Sequence, residues 1–406
     1  MSTQGITAWL DRATRNLALA RARAAQWVAF YRHYTTNTAK LDALKQGCES
    51  RQPQPAPQPD LLARLVESYL VETSLQPRDA GDAYAICAEL KEVIHRYWEP
   101  YLSAIERRDA QGLQQLFNSF FRNGGATYFG IGDFNSTHGR LGLQDGNRLL
   151  KMSYINRVLQ HLEVWSSLTG ERQYDRLGIP SIGNPFGYLH DGQVILSVAP
   201  RVHYYSVTTA QLLAHRQRRV VAEIGGGFGL YAYYLLRDEA NTTYVGFDLP
   251  ESLLMAKYFL LNSLPGKSCF FLEEGCLDAL DYDALLHAYD VILLPHYLLP
   301  RWPEQSVDLC LNSASLGEMP SGSVNEYLRH IDRITRTYFL HENYRQRVKG
   351  YWTGDNGFVD NDYIHAVLTT HSAFELMTRE QHWDETLEAR LYRKPELSRV
   401  PAEVGG

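Results

Sequence analysis

The chain is poor in the features that staple or anchor a protein from outside its core. Its 406 residues include only 5 Cys, at Cys48, Cys87, Cys269, Cys276 and Cys310. The number is odd, and no two stand in Cys-x-x-Cys spacing. That argues against a disulfide framework and a structural zinc site. No run of about 18 apolar residues occurs, so no transmembrane helix and no integral membrane contact are expected. The opening residues, MSTQGITAWLDRATRNLALARARAAQW, lack the basic start and unbroken apolar stretch of a secretory signal. A basic excess is missing too. Lys and Arg number 40 against 46 Asp and Glu, a net charge of −6. That balance speaks against a general nucleic-acid binder, and no nucleic-acid partner is expected. The expectation is a reduced, cytoplasmic protein.

What is present is an ordinary globular composition, 45% hydrophobic. The length allows two or three domains, and a core of that size needs neither disulfide nor metal. Tyr is in surplus, with 26 against 15 Phe and 7 Trp. A flat apolar ring with a polar tip suits walls that touch polar ligands.

Residues 4–34 carry Trp9, Leu10, Leu17, Trp27, Phe30 and Tyr31 at roughly helical spacing. They predict a helix packed on the protein or on a second subunit, with a peripheral membrane helix as the lesser reading. The segment 51–59, RQPQPAPQP, alternates prolines and reads as an extended linker. Helical text resumes at Asp60 and continues through 81–121 on Leu90, Val93, Ile94, Trp98, Leu102 and Ile105. Residues 1–120 are therefore predicted to be a helical N-terminal region, serving as cap or oligomerisation surface. A homodimer through these helices is one expectation. Residues 121–205 are rich in Gly, Asn and turn pairs, with a helix over 146–165 and a strand near Gln193–Val198. They predict a connector or substrate cap.

From 218 the chain alternates strand and helix, which gives a parallel sheet covered on both faces. Two late strands, AFELMTRE and EARLYRK, are joined by a short connection and predict a terminal hairpin with one antiparallel strand.

The strongest motif is VVAEIGGGFGLYAYYLL, 220–236. A strand ends at Glu223-Ile224, Gly225, Gly227 and Gly229 follow in G-x-G-x-G spacing, and a helix begins. Glycines allow a sharp turn and close approach of backbone to ligand, and the helix start offers free N–H groups. A second strand, TTYVGFDL, ends on Asp248, 19 residues after Gly229. An acid there is placed to grip ribose hydroxyls. Nicotinamide sites call for G-x-G-x-x-G, but position 230 is Leu. Glu223, at the strand tip two residues before the first glycine, can accept hydrogen bonds from a ligand amine, and an acid at this place is typical of S-adenosylmethionine sites.

These residues resemble class I S-adenosylmethionine-dependent methyltransferases. Within that superfamily, GNPFG (183–187), EIGGGFG (223–229), FDLPE (247–251), LLP (293–295), LNSASLGEM (311–319), Tyr327-Leu328 and HEN (341–343) resemble the putative sugar O-methyltransferase family. The resemblance covers about the last 220 residues and the N-terminal part only loosely. It implies an α/β fold: a Rossmann-like, seven-stranded methyltransferase sheet, mostly parallel with one antiparallel strand, over 206–400. It also implies S-adenosylmethionine as cofactor and a sugar, glycan or glycosylated natural product as acceptor.

By that resemblance Gly225, Gly227 and Gly229 line the methionine and ribose, Glu223 meets the amino group, and Asp248 takes the ribose. Leu249 lies near the adenine, with His296 standing where an acid is common, and Asn312 faces the methyl. The base candidates are Glu318, His341 and His203, because a sugar hydroxyl needs help to lose its proton. Asn184, Tyr204, Asn343 and Tyr351 are candidate acceptor contacts, joined by Tyr205 and Trp352. Tyr231, Tyr233 and Tyr234 read as core. A metal would need clustered carboxylates near strands four and five. Only Glu318 and His341-Glu342 are at hand, so none is expected. The other readings are an RNA or protein methyltransferase, a non-catalytic cofactor-binding partner in a biosynthetic complex, and a nicotinamide oxidoreductase.

Overall fold

The computed structural model describes residues 24, 28, 34–75, 82–86, 88–123, 148–274, 280–347, 358–383 and 386–395. The helix expected over 4–34, the Gly-rich stretch 124–133 and the loop carrying Tyr351 and Trp352 lie outside these residues, apart from isolated helical positions. The described chain forms two compact units. One takes residues up to 54 and 119–204; the other takes 55–118 and from 205 onward.

The first unit contains helices α1 (Tyr34–Glu49) and α6 (Arg148–Thr169) and the hairpin β1 (Tyr188–His190)–β2 (Gln193–Ile195). Asp191 and Gly192 both have positive φ, the backbone a two-residue hairpin turn requires. The first half of the Pro-Gln segment is tied down here. Gln54 accepts from the Gly183 N–H and donates to the Ser181 carbonyl, and Gln52 N donates to Asn184 Oδ1.

The second unit is built on an eight-stranded sheet in the order β5-β6-β4-β3-β7-β8-β10-β9. Its strands are β3 (Arg219–Ile224), β4 (Thr242–Asp248), β5 (Cys269–Phe270), β6 (Val291–Pro295), β7 (Val307–Ser313), β8 (Thr335–Tyr344), β9 (Glu375–Glu380) and β10 (Leu387–Arg393). All neighbours run parallel except β10, which is antiparallel to both β8 and β9. This is the Rossmann-like sheet expected, with the two-residue β5 added at one edge. The central strands are almost continuously buried because helices cover both faces.

Helices α2 (Pro59–Ser74), α3 (Ala88–Tyr97), α4 (Glu99–Glu106) and α5 (Ala110–Phe117) precede the sheet. Helices α7 (Ala199–Leu212), α8 (Leu230–Asp238), α9 (Pro250–Ser263), α10 (Tyr282–Ala288), α11 (Ser321–Ile334) and α12 (Asn361–His371) accompany it. Val324, Leu328 and Ile331 of α11 and Ile364 and Leu368 of α12 join the sheet's Ala222, Ile224, Phe247 and Phe339 in one core. Tyr231, Tyr233 and Tyr234 of α8 are buried, as the sequence suggested.

The sequence boundary at 120 does not coincide with the observed division, and the reason is α9. From Pro250 to Leu260 that helix is buried on every side, so its outer face needs a cover. Helix α2 supplies it. Lys257 and Glu72, both fully buried, form an ion pair there, and Lys257 Nζ also donates to Ser68 Oγ at 2.8 Å. Gln114 Nε2 donates to Tyr258 Oη at 3.0 Å. These contacts hold residues 55–118 to the sheet unit.

Candidate functional site

The carboxyl ends of the parallel strands carry the glycine loop and the acids. After β3 the backbone turns through Gly225 (φ 75°), Gly227 (φ 58°) and Gly229 (φ 89°), all in the left-handed region that favours glycine. The turn is pinned by Gly225 N–H to Phe247 O, 2.9 Å, and Gly229 N–H to Gly226 O, 3.1 Å. Gly229 is the N-cap of α8 and supplies no side-chain cap, so the helix start keeps backbone donors for a ligand. A Cβ on Gly225 would sit 2.3 Å from Ser315 Oγ.

Asp248 ends β4. Its Oδ2 accepts from Gly227 N at 2.8 Å and its Oδ1 from Leu249 N at 2.7 Å. The carboxylate therefore lies against the glycine loop, with lone pairs left for hydroxyl donors. Burial pushes its pKa up to about 6, and the backbone N–H bonds of Leu249 and Gly227 hold it from rising further. Leu249 is half-buried as the N-cap of α9.

Glu223 is 4% exposed, and Tyr244 Oη donates to its Oε2 at 2.5 Å. Burial raises its pKa to about 8; the Tyr244 hydrogen bond opposes the rise and the Asp248 charge adds to it. Tyr244 and Gly226 were missed by the sequence reading. A Cβ on Gly226 would fall 2.7 Å from Tyr244 Oη and 2.8 Å from Glu223 Oε2, so this glycine makes room for the pair. The signal was available: Tyr244, Gly246 and Asp248 alternate along one strand and so share a face.

His296 follows β6 and is buried, not on the surface. Its Nε2 lies 3.2 Å from the Tyr84 carbonyl, and burial lowers its pKa, so the ring is neutral. The Tyr84 ring stands 6.0 Å from it and 5.6 Å from the Tyr327 ring. No local pattern in the sequence pointed to Tyr84 as a wall here.

Asn312, next to last in β7, is fully buried, and its Nδ2 donates to Ile224 O at 2.9 Å. Asn343 Nδ2 donates to Asn312 Oδ1 at 2.9 Å, and Asn343 Oδ1 accepts from Gly317 N at 2.8 Å. Asn343 is thus built into the support of the 314–319 loop. His341 is fully buried two residues earlier and stacks on Tyr392, centroids 5.6 Å apart. Burial lowers its pKa to about 3, with Arg390 adding to the effect. Its imidazole stays uncharged and is a weak proton acceptor.

Glu318 is exposed on the same loop, and Tyr344 Oη donates to its Oε1 at 3.1 Å. Glu342 was weighed in the sequence only as a metal ligand. It is buried on the sheet face opposite His341, where Tyr205 Oη donates at 2.7 Å and Ser313 Oγ at 3.2 Å. Among the described residues no group of three or more His, Cys, Asp and Glu is placed to hold a metal ion. None of the described helices is long and apolar enough to cross a membrane.

The remaining candidates belong to the first unit. His203 is buried, and Trp165 Nε1 donates to its Nδ1 at 3.2 Å. Tyr204 is half-buried. Asn184 has φ 57°, and its carbonyl accepts from Arg122 Nε at 2.8 Å.

No family model matches the chain, and no curated protein matches it. Solved structures do. Magnesium protoporphyrin IX methyltransferase from Synechocystis PCC 6803, solved with S-adenosylmethionine, is 11% identical at TM-score 0.33. The match covers 57% of this chain and 90% of that one. The N-terminal domain of EvdMO1, solved in the presence of S-adenosylhomocysteine and D-fucose, is 13% identical at TM-score 0.35, covering 57% and 96%. The N-methyltransferase NodS from Bradyrhizobium japonicum, in complex with S-adenosylhomocysteine, is 12% identical at TM-score 0.32, covering 49% and 88%. By name these proteins serve different acceptors, and the similarity assigns none of them to this chain.

Proposed function

We propose that the protein is an S-adenosylmethionine-dependent O-methyltransferase acting on a hydroxyl of a sugar, glycan or glycosylated natural product. One observation carries the cofactor reading: the glycine loop and the strand-end acid Asp248 are joined by the Gly227 N–H, at the carboxyl ends of adjacent strands. Ligands of open α/β sheets bind at such ends. The acids gathered there, Glu223, Asp248 and Glu251, suit a ligand carrying positive charge. The acceptor class rests on the sequence resemblance alone.

In this reading the bound cofactor supplies an electrophilic methyl group. Asp248 holds ribose hydroxyls, Glu223 receives the amino group, and the Gly225–Gly229 backbone lets the ligand approach closely. Much of the rate comes from holding acceptor oxygen and methyl in line. Asn312 and Asn343 act by fixing the 314–319 loop. Glu318 on that loop is the reachable proton acceptor for the hydroxyl, since His341 is buried and weakly basic.

The test is transfer of labelled methyl from S-adenosylmethionine to a panel of glycosides. Labelled ether product is expected. Glu318→Gln is expected to lower kcat by about 100-fold with cofactor affinity unchanged. Stabilisation by NADH and not by S-adenosylmethionine in a thermal-shift comparison would overturn the reading.

A further inference from the structure

Glu223 is a buried carboxyl. Among the described residues, Tyr244 is its side-chain partner and no Lys, Arg or His pairs with it. The groups facing it are Tyr244 and Asp248 from β4, Tyr231 from α8 and Cys310 from β7. Glu251, at the start of α9, faces Asp248. None of them supplies positive charge. An ionised carboxylate at that place is costly until a cation arrives.

We propose that Glu223 is a proton-linked receptor for the ammonium group of the cofactor, with Tyr244 as the residue that positions it. The proposal rests on the cofactor reading given above and adds to it a proton exchange and a residue. Without ligand the carboxyl keeps its proton. When an ammonium binds, the O–H bond of the carboxyl breaks, the proton leaves to solvent, and the carboxylate pairs with the ammonium. No electron moves and one positive charge replaces another. Tyr244 Oη, on the neighbouring strand, keeps one carboxyl oxygen beneath Gly226 and directs the other. That the carboxyl titrates near 8 places the exchange in an accessible range.

The experiment is isothermal titration of the full chain with S-adenosylhomocysteine between pH 7 and 8.5, a full unit or more above the value of about 6 at which Asp248 titrates. It is run in buffers of different ionisation enthalpy. Affinity is expected to rise about tenfold across this interval, with close to one proton released per ligand at the acid end. 5′-Methylthioadenosine keeps the nucleoside and thioether but has no ammonium, and its affinity is expected to stay flat. Glu223→Gln is expected to abolish both the slope and the proton release. Tyr244→Phe removes a donor that favours the charged form, so the break in the slope is expected to move to higher pH. A merely structural tyrosine would leave the break in place. Tight binding of S-adenosylhomocysteine with flat pH dependence and buffer-independent heat overturns the proton link alone. Binding of neither ligand overturns the cofactor reading with it.

Discussion

Glu223→Gln makes the ligand-free protein more stable, and increasingly so as pH rises. The ordinary carboxyl value of 4.5 is displaced to about 8 in the folded chain, chiefly by burial. Below about pH 4.5 the group is neutral in both folded and unfolded chains and contributes no pH dependence. Between there and about pH 8 the unfolded chain has lost the proton and the folded chain retains it. Stability therefore falls with rising pH, by about 1.4 kcal/mol per pH unit. At pH 7 the accumulated loss is about 3 kcal/mol. A glutamine has nothing to titrate and escapes it. At about 2 °C per kcal/mol the variant should melt roughly 6 °C higher relative to wild type at pH 7 than at pH 4.5. Melting curves of both proteins at pH 5, 6, 7 and 8, without ligand, measure this. Two parallel curves, separated by a constant amount at every pH, would refute the reasoning, because they would mean that Glu223 ionises normally in the fold.

Gly226→Ala places a Cβ 2.7 Å from Tyr244 Oη and should cost about 1–3 kcal/mol. Adding Tyr244→Phe removes that oxygen, so denaturant titration should show a double variant less destabilised than the sum of the two. Asp248→Asn confronts the Gly227 and Leu249 N–H groups with an amide that has a single acceptor oxygen. Calorimetry should show cofactor affinity falling by about 100-fold, or roughly 3 kcal/mol. Lys257→Met leaves Glu72 buried without its cation and should cost about 3–5 kcal/mol, while Lys257→Met with Glu72→Leu should recover most of it. Chemical denaturation of the three chains decides this, and equal losses in single and double variants would contradict the pairing.

The sheet was legible because its strands are apolar runs bounded by turn residues, and that signal is local. The strand read before the glycine loop, the strand TTYVGFDL that ends on the acid, and the strand–helix alternation from 218 onward are all found, the first two to within a residue or so at each end. The late hairpin and its antiparallel strand followed from a connection too short for a crossover. What escaped was set by contacts distant in sequence. The two-residue β5 is too short to have a period, and Tyr84 reaches His296 across 212 residues. The cover that α2 gives α9 is of the same kind, since Glu251, Ser252 and Lys257 of α9 are polar in sequence and buried only in the fold.

The same distinction runs through the site. Glu223, Asp248 and the three alternate glycines could be read because a strand end followed by a turn and a helix start is a contiguous stretch of chain. Their chemistry could not be read that way. Glu223 in the sequence is simply an acid at a strand tip, placed to meet an amine. In the fold it is enclosed with Tyr244, beside another carboxylate, under a loop that only a glycine at 226 permits to close so tightly. His341 changes character for a related reason. At a strand end it reads as a candidate base, but strand alternation turns it onto the sheet face it shares with Phe339 and Tyr392, where burial takes its basicity away. In both residues the identity came from the motif, and the protonation state from the side of the sheet and the neighbours on it.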